Sequence, residues 1–175
     1  MALGRFCSMA LLAAGWLVAS VSTGFSAKDS ATTASGLPVP RYVSLKSDHV
    51  NVRAGPTKDN DVAWVYTRSG LPVEITAEFE NWRRVRDSEG SEGWVYHSLL
   101  SGRRTAVVTM KNKDDLASLY DRPDRTSAIA ARLQVGVVAQ VKKCTNGWCR
   151  VTGNGFDGWI EQQRLWGVYA DEKVD

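Results

Sequence analysis

The side chains most often used in catalysis and metal binding are few in this sequence and widely spaced. His49 and His97 are the only histidines, and neither lies near a cysteine along the chain. The sequence contains no G-x-S-x-G nucleophile motif and no glycine-rich phosphate loop. We therefore expect no catalytic residue, no metal site and no cofactor, and the chain is predicted not to be an enzyme.

Two cysteines in the C-terminal half are better suited to a disulfide than to catalysis. Asn146-Gly147 is a strong signal for a two-residue hairpin turn, and a turn centred there places Cys144 directly opposite Cys149. Residues paired in this way have Cα atoms about 4.5 Å apart, which lies within disulfide range. An oxidising compartment outside the cytoplasm would allow the bond to form. Because a strict two-residue turn puts Val141 and Val151 on opposite faces, we also expect a bulge or a longer loop.

Aromatic side chains are the remaining candidates for a binding surface. On a regular strand Trp82 and Val85 differ by three positions and face opposite sides, as do Trp148 and Val151. The aliphatic member of each pair is better suited to a barrel interior, so both tryptophans are expected to be exposed on the outer face. The candidate ligand-binding residues are Trp82, Trp94, Tyr96, Trp148 and Trp159. The alternative is that these rings cap the barrel or fill an interface between domains.

The elements that would position these residues occur twice along the chain. Gly70, Trp82 and Val85 recur 66 residues later, and the Gly-Trp pair at 93–94 recurs 65 residues later. A pattern repeated at one spacing indicates tandem copies of one small domain. Domains of about 60 residues bury only about 60% of the surface of the unfolded chain, so each copy is marginal alone. We therefore expect the two copies to share apolar surface and to behave as one rigid unit.

The clearest local pattern is an alternation of apolar and polar residues after Gly70. Val73, Ile75, Ala77 and Phe79 are apolar, and the residues between them are polar. Such alternation predicts a strand with one face in water. Short strands with glycine-rich turns at close spacing, and no long helical pattern, predict an all-β sandwich or barrel.

The N-terminal segment has the three parts of a secretory signal. Arg5 supplies positive charge, residues 9–21 form an almost uninterrupted apolar run, and small residues follow. The apolar stretch is shorter than the about 20 residues of a membrane span, which favours cleavage over an uncleaved anchor. The residues that follow are rich in Ser, Thr, Ala, Gly and Pro, which is typical of a flexible linker. The predicted division is a signal peptide at 1–27, a flexible linker at 28–40, a first domain at 41–103, a second domain at 104–169 and a charged tail at 170–175.

The charge of the chain argues against nucleic acid as a partner. The formal net charge is +3 at pH 7, and loss of Arg5 with the signal peptide would leave about +2. Nucleic-acid-binding domains usually have a much stronger basic bias. The predicted location is the periplasm or the extracellular space, with no membrane contact after signal cleavage.

Four motifs follow one another in the first copy. VNVRAGP at 50–56 is followed by a glycine before the alternating strand, then by NWRRV at 81–85 and GWV at 93–95. This order resembles the bacterial SH3-like (SH3b) domain family. The second copy keeps NGWCRV and GWI but has ASLYDRP where VNVRAGP is expected. The resemblance implies two tandem, small, five-stranded, partly open β-barrels, and it implies that the matching tryptophans line a ligand groove.

The resemblance also implies a function in binding. The favoured prediction is a non-catalytic periplasmic or cell-envelope binding module, whose aromatic groove takes a peptidoglycan peptide or an envelope protein as its partner. The alternative is a structural protein whose tryptophans serve domain packing only. SH3-like modules also accompany cell-wall hydrolases, but the lack of catalytic motifs makes a hydrolase the least favoured prediction.

Overall fold

The computed structural model describes residues 33–175, and their regular structure is almost entirely extended. Fourteen strands form two antiparallel sheets of seven strands each. Within these residues the only helical segments are two 3-10 turns, at His97–Leu99 and Gln162–Arg164, and no helix is long and apolar enough to cross a membrane. The all-β prediction is confirmed. The predicted signal peptide and the first residues of the predicted linker lie outside the described residues.

The two sheets have the same strand order, which confirms the tandem repeat. The first sheet contains β1 (Arg41–Leu45), β2 (Val50–Arg53), β3 (Val62–Tyr66), β4 (Pro72–Phe79), β5 (Trp82–Arg86), β6 (Glu92–Tyr96) and β7 (Leu100–Ser101). The second contains β8 (Thr105–Val108), β9 (Leu116–Tyr120), β10 (Ile129–Gln134), β11 (Val138–Thr145), β12 (Trp148–Gly153), β13 (Phe156–Glu161) and β14 (Leu165–Trp166). Their orders are β3-β2-β6-β5-β4-β1-β7 and β10-β9-β13-β12-β11-β8-β14.

The expectation of five strands per barrel is too low by two. The loop after β2 returns along it as β3, with Val50 opposite Tyr66 and Val52 opposite Trp64. The 3-10 turn at His97–Leu99 then brings β7 back to β1, where Leu100 lies opposite Leu45. Both additions are short segments whose pairing depends on tertiary position, since neither has a long alternating pattern of its own.

Each barrel has its own core of mainly aliphatic side chains. The first core consists of Val43, Leu45, Val50, Val52, Val73, Ile75, Val85 and Val95. The second includes both cysteines and consists of Ala106, Val108, Ala117, Leu119, Leu133, Ala139, Val141, Cys144, Cys149, Val151, Ile160, Leu165 and Val168. Val85 and Val151 are fully buried, as predicted for the aliphatic members of the two Trp/Val pairs.

A register shift in β4 breaks the alternation that the sequence predicts. The pairing with β5 shifts between Ile75 and Ala77, which inserts one unpaired residue into the strand. Beyond this bulge the faces exchange, so Phe79 is 49% exposed and the Glu78 side chain is only 1% exposed. The prediction of one wet face along the whole strand is therefore wrong.

The second copy has the corresponding bulge, and here the sequence predicted it. The pairing of β11 with β12 shifts between Val141 and Lys143. Cys144 lies directly opposite Cys149, and a disulfide joins the two residues across Cα atoms 4.1 Å apart. Val141 and Cys144 are both buried although they are three positions apart, because the extra residue resets the inward face. The predicted disulfide and the predicted bulge are both confirmed.

The segment before β1 is held to the first barrel by a buried carboxylate. Ser35 donates hydrogen bonds to Glu78 from its backbone N–H (2.8 Å) and from its hydroxyl (2.7 Å). Arg41 and Arg83 form ion pairs with the same carboxylate at 2.6 and 3.1 Å. Burial tends to raise the pKa of Glu78, but the hydrogen bonds from Ser35 and Arg41 outweigh it and lower the pKa. Within the described part of the predicted linker, Ser35 is thus bonded to the first barrel.

The two barrels share an interface, as expected from their small size. The Tyr42 ring of β1 lies 4.6 Å from the ring of Tyr169 and 5.1 Å from that of Trp166. The Tyr169 hydroxyl donates to Glu74 of β4 at 2.9 Å, and the same carboxylate accepts from Arg86 Nε at 3.0 Å. Burial and this contact with Glu74 raise the pKa of Tyr169. The described residues accordingly form one compact unit.

The segment predicted to be a charged tail at 170–175 is bonded to the second barrel. Val174 forms a β-bridge with Cys144, in which the Cys144 N–H donates to the Val174 carbonyl at 2.8 Å. Glu172 forms an ion pair with Arg104 at 2.6 Å and accepts a hydrogen bond from the Tyr169 N–H. Hydrogen bonds from Arg104 and Tyr169 outweigh the effect of burial and lower the pKa of Glu172.

The disulfide generates the first prediction. Reduction of the Cys144–Cys149 bond is expected to lower the free energy of unfolding by about 2 kcal/mol, because the bond closes a short loop in the unfolded chain. Urea unfolding with and without a reductant measures this difference. In the Cys144→Ala/Cys149→Ala variant the reductant should have no effect. Equal stability of the oxidised and reduced parent protein would contradict the prediction.

Glu78 generates a prediction about acid stability. Because its pKa is lower in the folded protein than its ordinary value of 4.5, its ion pairs stabilise the fold above that value. This contribution is lost as the pH falls through the lowered pKa. We expect Glu78→Gln to be less stable than the parent at pH 7 and the difference to shrink below pH 4.5. Thermal melting across this range is the measurement, with the exposed Glu89→Gln as control. A gap that stays constant down to low pH would refute the role of Glu78.

Candidate functional site

The outer face of β5 and β6 brings together three of the five candidate aromatic residues. Trp82 lies opposite Tyr96, and Arg84 lies opposite Trp94, so these four side chains share one face of the strand pair. Val85 and Val95 belong to the core on the other face. This arrangement agrees with the prediction that Trp82 and Val85, three positions apart on one strand, face opposite sides and that Trp82 lies outside the barrel.

Trp82 is nevertheless buried, which the sequence did not predict. Its side chain is 8% exposed, although it lies outside the aliphatic core. The Tyr96 ring packs against it edge to face, with centroids 5.4 Å apart and planes at 80°. The expectation that Trp82 is exposed is wrong. The position of Trp82 along the strand determines only which face it lies on, and the Tyr96 ring on that face covers it.

A cleft of about 320 Å³ opens beside this aromatic pair. We call it the first-domain cleft, and its lining residues are Asn51, Arg53, Lys58, Trp82, Tyr96, Ser98 and Leu99. Two of these residues are cationic and none is acidic. The cleft therefore combines an aromatic wall with positive charge, a combination that suits an anionic ligand with an apolar or planar portion.

The loop after β2 shapes one side of this cleft. The Arg53 guanidinium donates to the Asn60 carbonyl at 2.6 Å, and the Ala54 N–H donates to the Asp61 carbonyl at 3.1 Å. A Cβ atom at Gly55 would lie 2.5 Å from the Asn60 side-chain oxygen, so a larger residue at this position would displace the Asn60 side chain. The RAGP sequence is thus explained by a closed loop that presents Lys58 to the cleft.

Trp94 lies on the same outer face but is not part of the cleft lining. It is half-buried and pairs in register with Arg53 on one side and Arg84 on the other. The next residue toward the N-terminus is Gly93, where a Cβ atom would collide with Val52 of β2. The GWV motif therefore combines a close crossing of two strands with an outward tryptophan.

The second copy has an aromatic pair of different composition. Trp148 packs edge to face against Tyr120 of β9, with centroids 5.7 Å apart and planes at 85°. Trp148 lies opposite Glu161, which occupies the position that Tyr96 has in the first copy. Tyr120 pairs with Trp159 as Arg53 pairs with Trp94. In the first copy the aromatic residue is on β6 and the charged residue is on β2. In the second copy the charged residue is on β13, the counterpart of β6, and the aromatic residue is on β9, the counterpart of β2.

Charged groups around this second aromatic pair form ion pairs with one another. Arg125 Nε donates a hydrogen bond to Glu161 at 2.7 Å. Arg150 forms a bidentate ion pair with Asp157, in which both hydrogen bonds are 2.9 Å long. The hydrogen bonds from Arg150 are the main cause of a lowered pKa at Asp157. Because these charges compensate one another, the second face does not reproduce the cationic character of the first-domain cleft.

Sequence reasoning missed several residues that line the first-domain cleft. Arg53 and Asn51 lie within the VNVRAGP motif, and Lys58 follows it, so the motif itself was the available signal. Tyr120 likewise lies within ASLYDRP, the segment that departs from the pattern of the first copy. Its position matches that of Arg53, so a residue-by-residue comparison of the two copies would have identified it.

The two halves of the chain are similar to one known domain. A family model described as bacterial SH3 domain matches residues 46–102 and residues 113–167, which together make up more than half of the chain. No curated protein sequence matches the chain.

Among solved structures, the chain is similar to NlpC2 from Trichomonas vaginalis, with 16% identity over 73% of this chain and 48% of that chain and a TM-score of 0.33. NlpC1 from Trichomonas vaginalis gives 18% identity over 72% of this chain and 45% of that chain, with a TM-score of 0.32. The chain thus spans about half the length of these two structures.

The burial of Trp82 generates a stability prediction. Trp82→Ala is expected to lower the free energy of unfolding by about 3–5 kcal/mol, because it removes a large buried ring. Trp148→Ala should cost less, since Trp148 is only partly buried. Val85→Ala, at a fully buried position, is the core control and should also destabilise. Urea unfolding of the three variants is the measurement, and a Trp82→Ala protein as stable as its parent would contradict the burial.

Proposed function

The chain belongs to the bacterial SH3 domain family, and on this premise we propose that it is a non-catalytic binding module of the cell envelope. Its ligand is a peptidoglycan peptide or an acidic segment of an envelope protein, bound in the first-domain cleft. The N-terminal secretory pattern of the sequence supports an exported protein. The engagement of Cys144 and Cys149 in a disulfide, and the exposed positions of both histidines, support a role without catalysis.

The observation that carries this proposal is the composition of the first-domain cleft. Trp82 and Tyr96 provide an aromatic wall, and Arg53 and Lys58 provide positive charge, with no acidic residue in the lining. Peptidoglycan peptides carry free carboxylates, which guanidinium and ammonium groups bind through charge-assisted hydrogen bonds. The volume of about 320 Å³ lies at the lower end of the range of small-molecule sites. It suits a short peptide segment with one carboxylate.

A structural role for the tryptophans is the second candidate. The burial of Trp82 to 8% exposure and the packing of Trp166 against Tyr42 both favour it. Replacement of Trp82 does not separate the two functions, because loss of a buried ring lowers stability under either of them. Tyr96 and Lys58 separate them better, since both are more exposed and both line the cleft.

Binding to purified peptidoglycan sacculi tests the proposal. Tyr96→Ala should weaken binding by about 30-fold, the effect typical of an aromatic anchor at an interface. Lys58→Gln should weaken it less, and the loss should diminish at high salt because the interaction is electrostatic. Tyr120→Ala and Lys111→Gln are the matched controls in the second domain. Co-sedimentation measures binding, and thermal melting confirms that each variant is folded.

The outcomes distinguish the candidates. Equal binding by the parent, Tyr96→Ala and Lys58→Gln would exclude the first-domain cleft as the site. If the parent does not bind sacculi but captures an envelope protein in a Tyr96-dependent manner, the partner is that protein. Failure to bind either one, with stability loss as the only effect of the aromatic substitutions, would favour the structural role.

A further inference from the structure

A second cavity, of about 420 Å³, lies between the two domains and shares no residue with the first-domain cleft. We call it the interdomain cavity. The first domain and the connection after it contribute Arg68, Ser69, Gly70 and Arg103. The second domain contributes Thr105, Val138, Ala139, Gln140, Thr152 and Gly153. Nothing in the proposed function uses this cavity, although interfaces between domains are common positions for ligand sites.

Two arginines give the interdomain cavity its charge. Within residues 33–175 neither Arg68 nor Arg103 forms an ion pair, whereas eight other arginines do. The Arg68 guanidinium donates to the Gly136 carbonyl of the second domain at 3.2 Å, which holds it across the boundary. Arg103 Nη2 lies near Gly70, 3.7 Å from the position of an added Cβ atom. No acidic residue lines the cavity.

A buried hydroxyl gives a second and independent indication of a ligand. Thr105 is 4% exposed and lines the interdomain cavity, and its Oγ1 atom has no hydrogen-bond partner among the described residues. A buried polar group without a partner is unfavourable, so such groups are rare in folded proteins. The Oγ1 atom is itself covered, so an acceptor atom bound in the cavity would satisfy this hydroxyl after a rotation of the Thr105 side chain.

The geometry points to an oxyanion as the ligand, and we propose that the interdomain cavity binds a carboxylate or phosphate group. Guanidinium groups match both groups through paired hydrogen bonds, and a threonine hydroxyl adds a neutral donor. Ser69, Gln140 and Thr152 offer further polar groups around the cavity. Because arginines of the first domain and a threonine of the second contact the same anion, binding also stabilises the arrangement of the two barrels.

Titration of the purified protein with inorganic phosphate, and separately with acetate, tests this proposal. Calorimetry measures affinity, and the backbone amide signals of Gly70 and Gly153 in NMR spectra locate the site. Arg68→Gln and Arg103→Gln should each reduce affinity at least about tenfold, because each removes charge-assisted hydrogen bonds. Saturable binding of phosphate but not acetate would identify a phosphate group, and the reverse would identify a carboxylate.

Two further variants separate a binding site from a structural effect. Thr105→Val should weaken anion binding and leave the melting temperature unchanged or higher, because the hydroxyl that it removes has no partner. Arg132→Gln, at an exposed arginine of β10, should bind like the parent. The proposal is overturned by a lack of saturable binding of both anions, by unchanged affinity in the folded Arg68→Gln and Arg103→Gln variants, or by NMR shifts confined to other residues.

Discussion

The packing of the two barrels against each other is the constraint on which the rest of the structure depends. Each barrel core consists largely of valine and other small aliphatic side chains, which provide limited buried area for a domain of about 60 residues. At the interface Glu74 is 3% exposed, and its carboxylate is bonded to Tyr169 of the second domain and to Arg86. A buried carboxylate is strongly unfavourable without such partners. The interface is therefore specific, because an arrangement that buries Glu74 without Tyr169 would leave one carboxylate oxygen without this hydrogen bond.

The two bulges determine which side chains each barrel presents. In β4 the inserted residue turns Glu78 inward, where it binds the segment around Ser35, and turns Phe79 outward. In β11 the equivalent insertion turns Cys144 inward, where the disulfide becomes part of the core. A β-bulge thus positions the carboxylate that binds the N-terminal segment in the first domain, and it positions a cysteine of the disulfide in the second domain.

Features governed by local rules could be predicted from the sequence. The Asn146-Gly147 turn determined the pairing of Cys144 with Cys149, and the mismatch between Val141 and Val151 required the bulge. The repeat and its motifs led to the tandem fold. Features that depend on contacts between distant segments could not be predicted in this way.

Three such features are the burial of Trp82, the burial of Glu74 and the position of Lys58. Trp82 lies on the predicted face of β5, but its exposure depends on the position of the Tyr96 ring. Glu74 has the sequence pattern of a solvent-facing residue, but it is buried and Tyr169 of the second barrel contacts its carboxylate. The lining role of Lys58 likewise depends on the closed loop that Arg53 and Asn60 hold together.

The exchange of aromatic and charged residues between the copies bears on avidity. Two identical sites on one chain gain affinity for a repeating polymer, because binding at one site raises the effective concentration at the other. Here Tyr120 stands where the first copy has Arg53, and Glu161 stands where it has Tyr96. A chemical group that complements the cationic first-domain cleft would meet a different set of charges on the second face. Under the proposed binding role we therefore expect duplication to bring little multivalent gain on a uniform polymer. It instead holds two unlike surfaces at a fixed separation, which suits recognition of a composite target.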